Sequence, residues 1–477
     1  MTGSRIADII ELINYGKGKI RMNLFQKVDM REGHPVKQIV RFAIPMLLGN
    51  MAQQLYNTVD SIIVGRFVGD NALAAVGSAA PILNLMLVLF MGISVGASIM
   101  VSQYFGAGMK DDLAKTVACC ITMTGIASLI IMVIGPLVTG PLLRLLGTPE
   151  SIIGWCQSYL TIIFIGVLGG GYYNIMSGVM RGLGDSASAL TYLLVATGVN
   201  IVLDYVFVAK FGMGVPGVAW ATVIAQAVSA VLAVRKILSM KDLFQISRKY
   251  LWPEKRYVTS LIRLGLPSGV TQAIFSMSMV IVQSLTNSFG EQFIAANVIV
   301  MRIDGFVMLP AFSLGTAMTT FSGQNIGAGK MDRVIQGARQ GTLTAMGVSA
   351  VVTMLILLCG RGLMGVFTET PELIDLSFRM MKILAVGYIA MEVTQCLSGI
   401  MRGAGDTVTP MWIAIFNSVI IRVPLAYGLV ALSKTPELPQ GNCAMMYVSL
   451  LVTWVIGAGI TFILYKTGRW KNKANLV

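Results

Sequence analysis

The sequence predicts an all-α polytopic membrane protein, with twelve transmembrane helices in two pseudo-symmetric six-helix lobes around a central cleft. Three observations predict it. The chain is 55% hydrophobic and only 12% charged, with a mean hydropathy of +0.75, whereas a soluble domain carries roughly 25% charged residues. Twelve apolar segments follow one another, each read as a helix because about 20 such residues cross a bilayer. The second half of the chain also repeats the first at a nearly constant offset.

Residues 1–40 are polar and of mixed charge, without the continuous apolar core of a secretory signal. Residues 6–13 are a candidate short interfacial helix. The spans then run near 41–65, 72–103, 115–140, 155–180, 188–210 and 214–238, and near 260–287, 292–323, 334–358, 377–401, 408–431 and 442–466. An N-lobe therefore occupies 41–238, a polar and basic inter-lobe loop 239–259, a C-lobe 260–466 and a tail 467–477.

Lys and Arg set the sidedness. With the N terminus in the cytoplasm, that side holds the tails, Lys110, Lys115, Arg181, the cluster from Arg235 to Arg263, Lys330, Arg333, Arg339 and Arg402. The other side keeps only Arg66, Arg144, Lys210, Arg361, Arg379, Lys382 and Lys434. Both termini are expected in the cytoplasm of a cell carrying this chain in its membrane.

The repeat is sharpest in the loops. Arg41-Phe42-Ala43-Ile44-Pro45 returns as Arg263-Leu264-Gly265-Leu266-Pro267, and Gln103-Tyr104-Phe105-Gly106-Ala107-Gly108 as Gln324-Asn325-Ile326-Gly327-Ala328-Gly329. Arg181-Gly182-Leu183-Gly184-Asp185 returns as Arg402-Gly403-Ala404-Gly405-Asp406, and the offset stays at 221–222. Six spans per unit is an even number, so both halves enter the membrane the same way. Parallel halves about a central cleft are transporter architecture.

The halves agree in their loops and disagree in their charges. Asp60 corresponds to Ile281, Asp204 to Leu425 and Glu392 to Gly171. Shared Gly-rich turns read as structural; unshared intramembrane charges are where function is expected. A carboxylate near a span's centre costs roughly 2.5–3.5 kcal/mol on insertion scales. On the first span Gln53, Asn57 and Asp60, spaced by four and three, share a helical face, with Tyr56 one turn before Asp60. That stripe either glues helices or lines a wet cavity. On the fifth span Asn200 and Asp204 stack four apart, and Asp204 lies at a depth similar to Asp60. Two carboxylates in one low-dielectric pocket do not readily ionise together, which makes a proton carrier; alternatively Asp204 ends its helix near Lys210. In the C-lobe, Arg302, Asp304, Glu392 and Arg422 form either a structural ion-pair network or a second site. Candidates for a substrate cleft are Gln53, Asn57, Asn174, Glu392, Asp304, Met277 and Met391; the flexible thioethers suit varied shapes.

Other chemistries find no support in the residues. The six Cys show no metal-ligand spacing and read as packing residues, and His34 stands alone in the polar N-terminal region. No P-loop is present, so ATP coupling within this chain is not expected. The net charge of +14 lies in alternate loops and termini, which argues against nucleic acid. No enzyme activity, cofactor or metal is expected, and the chain is expected to be a monomer in the lipid bilayer.

From about residue 37 to 467 the chain resembles the multidrug and toxic compound extrusion (MATE) family. The resemblance rests on the two six-span lobes, on Asn57-Thr58-Val59-Asp60-Ser61-Ile62-Ile63-Val64-Gly65, and on the twin Arg-Gly-x-Gly-Asp turns. Within the family it looks most like the DinF-like, proton-coupled branch. That likeness implies a coupling cluster at Asp60, Tyr56, Asn200 and Asp204, joined by Thr222 and Tyr159, and a bending proline at Pro45. The branch with a C-lobe Na⁺ site has acids on the seventh and tenth spans; here only Glu392 matches, and Na⁺ at Asp60 stays open. The implied function is a secondary antiporter exporting organic cations or drugs against inward H⁺, or Na⁺ in the coupling role, by alternating access. The alternative is a lipid-linked oligosaccharide flippase of the same superfamily, against which the acidic N-lobe spans speak. A channel or scaffold is a third class, disfavoured by the two-lobe repeat.

Overall fold

Apolar runs of this length satisfy their backbone only by closing every hydrogen bond within the helix, and that is what the computed structural model shows over residues 27–473. Residues 6–13, the candidate interfacial helix, lie outside the described residues. Six spans form each half. The first half has Pro35–Phe67, Asp70–Ala107, Lys110–Leu145, the pair Glu150–Ile165 and Val167–Gly182, Ser186–Lys210, and Gly214–Ser239. The second has Lys255–Asn287, Glu291–Gly327, Met331–Gly365, Pro371–Gly403, Val408–Leu432 and Ala444–Lys466. The described residues thus form an all-helical multi-pass membrane protein of twelve spans.

Four spans depart from plain α-helix. The fourth bends by 54° at Gly166, where an added Cβ would lie 2.3 Å from the Val223 side chain of the sixth span. The eighth is interrupted at Met308, just before Pro310, which has no N–H to give the ladder. The fifth and eleventh loosen into π-turns at Tyr205–Lys210 and Phe416–Ile421. The first span, 33 residues long and unbroken through Pro45, is less apolar than its neighbours, because Asn50, Gln53, Gln54, Asn57 and Asp60 all lie along its middle and second half.

The two halves meet along the ends that carry the basic loops. Gly92 and Gly96 of the second span pack against the backbone of the seventh at Leu261, Gly265 and Gly269, so closely that a Cβ on Gly92 would stand 2.8 Å from Gly265 O. Farther along, the repeated motifs exchange hydrogen bonds. Gln103 Nε2 donates to Gly403 O at 2.8 Å, and its counterpart Gln324 Nε2 donates to Gly182 O at 2.9 Å. Each twin turn has its second glycine at positive φ, Gly184 at 85° and Gly405 at 90°. Each is followed by an Asp that accepts from the next helix: Ser188 N to Asp185 at 3.0 Å and Thr409 N to Asp406 at 3.2 Å.

The segment before the first span crosses this junction. Val28 N donates to Gly184 O at 2.9 Å and Met30 N to Gln324 Oε1 at 3.0 Å, one contact to each half. The adjoining Arg31 guanidinium grips Asp29 at 2.7 Å and holds that carboxyl below its ordinary range. At the opposite ends of the spans Leu73 and Leu85 of the second, and Met277, Met279 and Val280 of the seventh, are exposed. The halves therefore converge on the basic-loop side and diverge away from it.

Candidate functional site

The N-lobe site is assembled by four spans. Tyr56 and Asp60, four apart on the first, turn toward the interior of their own lobe. The Tyr56 hydroxyl donates to Thr222 Oγ1 of the sixth span at 3.3 Å. Asn200 and Asp204 of the fifth are fully buried, each with 0% exposure, and Tyr159 of the fourth is 5% exposed. Asp204 lies within electrostatic reach of Asp60 and beside Asn200, and Tyr159 lies within reach of Asp60, Tyr56 and Asp204. All six residues that the sequence and its resemblance single out for the coupling cluster are thus in one place. Asp204 does not end its helix: the winding continues through the π-turn to Lys210, and the carboxyl lies inside the lobe.

Burial grades across this cluster. Asp60 is half-buried, whereas Asp204 is sealed. Both Asp204 oxygens, Asp60 Oδ1 and both polar atoms of Asn200 are buried without a hydrogen-bond partner. A buried carboxylate without donors is expensive.

The remaining candidates scatter. Gln53 and Asn57 are exposed, and Gln53 Nε2 donates to Asn57 Oδ1 at 3.4 Å. They flank the cluster on the open side of the span and do not enter it. Asn174 spends its amide on Gly170 O of its own helix at 2.8 Å. Met277 is exposed, but Met391 packs into the C-lobe core with Ile303, Leu384 and Tyr388. Its face of the tenth span is turned into its own lobe.

The C-lobe charges need a correction. Among the described residues no ion pair within 4 Å joins Arg302, Asp304, Glu392 and Arg422, so there is no ion-pair network. Asp304 accepts instead from the Tyr388 hydroxyl at 2.9 Å, with Arg422 as a more distant partner. Arg302 is exposed. Glu392, 2% exposed, stands apart with Oε2 unpartnered.

Two residues escaped the sequence reading. Asn50 Nδ2 donates to Ser313 Oγ of the eighth span at 3.0 Å, and the Gln54 amide lies close to Gly305 of the same span. They join the first span to the other lobe. The signal was present, since Asn50, Gln54 and Asp60 are all polar on one apolar helix, but which polar residue faces which neighbour is a tertiary matter.

Comparison with known proteins agrees with this layout. The MatE family profile matches twice, over residues 45–206 and 267–428, once in each half. The chain is 31% identical over 422 residues to the probable multidrug resistance protein YoeA of Bacillus subtilis (strain 168), covering 87% of this chain and 91% of the relative. It is 30% identical over 448 residues to the probable multidrug resistance protein YpnP of the same organism, covering 93% and 97%. Its fold matches the outward-facing conformation of a multidrug resistance MATE family transporter of the MOP superfamily with a TM-score of 0.86, at 24% identity over 94% of this chain and 98% of that one. Two profile matches in register with two lobes, and relatives that align from end to end, place the chain in the MatE family, the multidrug and toxic compound extrusion transporters that its motifs resemble.

Proposed function

We propose that this chain is a secondary antiporter that exports organic cations or drugs in exchange for inward H⁺. The carrying observation is the Asp60–Asp204 pair: one carboxyl at the margin of the pocket, one sealed behind it, and oxygens on both without donors. Two adjoining carboxyls in a low-dielectric pocket do not both ionise readily, so the pair suits one held proton. A cation arriving beside Asp60 favours the fully ionised pair and displaces that proton. Proton and substrate then compete, and linkage makes the competition reciprocal. Rocking of the halves about the junction at the basic loops would expose the pocket to either side in turn. The basic loops support a cytoplasmic position for that junction.

The test is uptake of a fluorescent organic cation into proteoliposomes, with ΔpH and Na⁺ gradients imposed separately. Transport should follow ΔpH. Asp60→Asn, which imitates the protonated form permanently, should abolish ΔpH-driven transport while the protein still purifies as a folded monomer or oligomer of unchanged size. Concentrative transport by Asp60→Asn with unchanged ΔpH dependence would sink the proposal, and transport following only the Na⁺ gradient would replace H⁺ with Na⁺ at the same pair.

A further inference from the structure

The loop between the halves carries more structure than a tether needs. Among residues 239–259 there are five basic and two acidic side chains. Phe244 and Tyr257 are buried at its two ends. Between them the chain is fastened along the third span: Lys110 Nζ donates to Asp242 O at 3.2 Å, Tyr250 donates to Asp111, and Lys115 bridges Asp111 and Glu254 at 3.0 and 3.3 Å. Thr122 Oγ1 donates to Leu251 O at 2.9 Å. That last bond lifts the short helical turn Arg248–Leu251 up the side of the span.

Its height along the span is informative. One turn beyond Thr122 the third span begins a run of exposed apolar residues, Ile126, Leu129, Ile130, Val133 and Leu137. On the neighbouring seventh span Ile262 and Leu266 are exposed in the same way. These faces have no protein cover and belong to lipid. Leu251 and Trp252 therefore sit at the border between the polar helix ends and the hydrocarbon. Trp252 is 86% exposed, held outward by a fastened backbone, at the depth where Trp is enriched in membrane proteins. Around it Arg248, Lys249 and Lys255 are exposed, and among the described residues none has a carboxylate within ion-pair distance. A cavity of about 220 Å³ lies beside Trp252, lined also by Lys115, Lys249, Tyr250, Glu254 and Tyr257.

We propose that this loop is a binding site for anionic phospholipid, with Trp252 and Leu251 in the headgroup–acyl boundary and Arg248, Lys249 and Lys255 on the phosphate. Exposed cations at an interface attract anionic headgroups, and an indole with one apolar and one polar edge is suited to that depth. The site joins the end of one lobe to the start of the other, so a lipid held there sits against the one covalent link between them.

The test uses the full-length protein in nanodiscs of phosphatidylcholine with and without phosphatidylglycerol. Emission that is lost in Trp252→Phe should be quenched by brominated phosphatidylglycerol. The triple variant Arg248→Gln, Lys249→Gln, Lys255→Gln should retain phosphatidylglycerol in native mass spectra roughly tenfold less well than the unaltered chain, with the same melting temperature. Unquenched Trp252 emission, or equal retention by the triple variant, overturns the proposal. Displacement of the lipid by inorganic phosphate at equal concentration also overturns it, because the site would then read the anion and not the lipid.

Discussion

Asp60 and Asp204 differ in exposure although they are neighbours, and that difference assigns them unequal parts. In the proposed exchange, Asp60, at the margin, would be the group a substrate meets, and Asp204, fully buried, would act through it. Residues acting as one unit lose function together, so Asp60→Asn and Asp204→Asn should each remove ΔpH-driven transport, and the double variant should lose little more than either single one. Glu392 is a contrasting case. It is buried in the other lobe with Oε2 unpartnered. Glu392→Gln should leave the ΔpH dependence intact while changing the rank order of cations transported, read as relative initial rates for a panel of dyes. The pair was legible in the sequence because a carboxylate amid Val, Ile and Leu stands out and helical spacing gives its face. The fate of Met391 was not, because a face turned into a lobe core and a face turned into a cleft are both written in apolar residues. The C-lobe charges misled for a related reason: four charges on neighbouring spans suggest pairing, yet Asp304 is satisfied by the neutral Tyr388 hydroxyl.

Helix ends, at the next scale, tie the two halves together. The repeated Gly-rich turns were expected to hold helix ends, and they do, through positive φ and the capping carboxylates Asp185 and Asp406. They also do something that a repeat in one dimension does not reveal: Gln103 reaches the turn of the other half and Gln324 reaches back. Gln103→Ala and Gln324→Ala should therefore have matching effects, each loosening the junction and raising the accessibility of cysteines placed on the basic-loop side. A wedge should act more strongly. A Cβ on Gly106 would lie 2.1 Å from Gln324 O, and one on Gly327 2.0 Å from Gln103 O, so Gly106→Ala and Gly327→Ala should hold the junction apart in the same assay. Within the turns, Gly184→Val and Gly405→Val each meet about 1–2 kcal/mol of left-handed strain. Gly184→Val should lower the melting temperature further, since its Cβ would also stand 2.0 Å from Val28 O, against 3.1 Å from Lys473 O at Gly405. The breaks at Gly166 and Met308 were not legible as breaks. Their signals, a Gly cluster at 169–171 and Pro310, occur equally in spans that run on, as Pro45 and Pro267 do.

Across the whole molecule, one lobe carries the adjoining pair Asp60 and Asp204, and the other carries Asp304, Arg422 and Glu392. The junction is built alike from both halves, through Gln103 and Gln324, while the interiors of the two lobes carry different charges. The twelve spans and the two-lobe division were legible from hydropathy and repeat alone; their convergence at one end was not, because it depends on Gly92, Gly96, Gly265 and Gly269 meeting face to face. One feature of the first span bears on how the molecule comes to exist. Ten spans are each apolar enough to enter a bilayer by composition, the second with a hydropathy of 2.2 over its best window, and the bent fourth adds an eleventh. The first does not reach that level, because the polar residues that build the cleft replace apolar ones. Taken alone in an insertion assay, Pro35–Phe67 should enter the membrane only in part, while Asp70–Ala107 should enter fully. During synthesis the first span is then retained by its neighbours: by Thr222 holding Tyr56 within its own lobe, and, only after the eighth span has been made, by Ser313 holding Asn50. The helix made first is thus secured only once spans of both halves are in place.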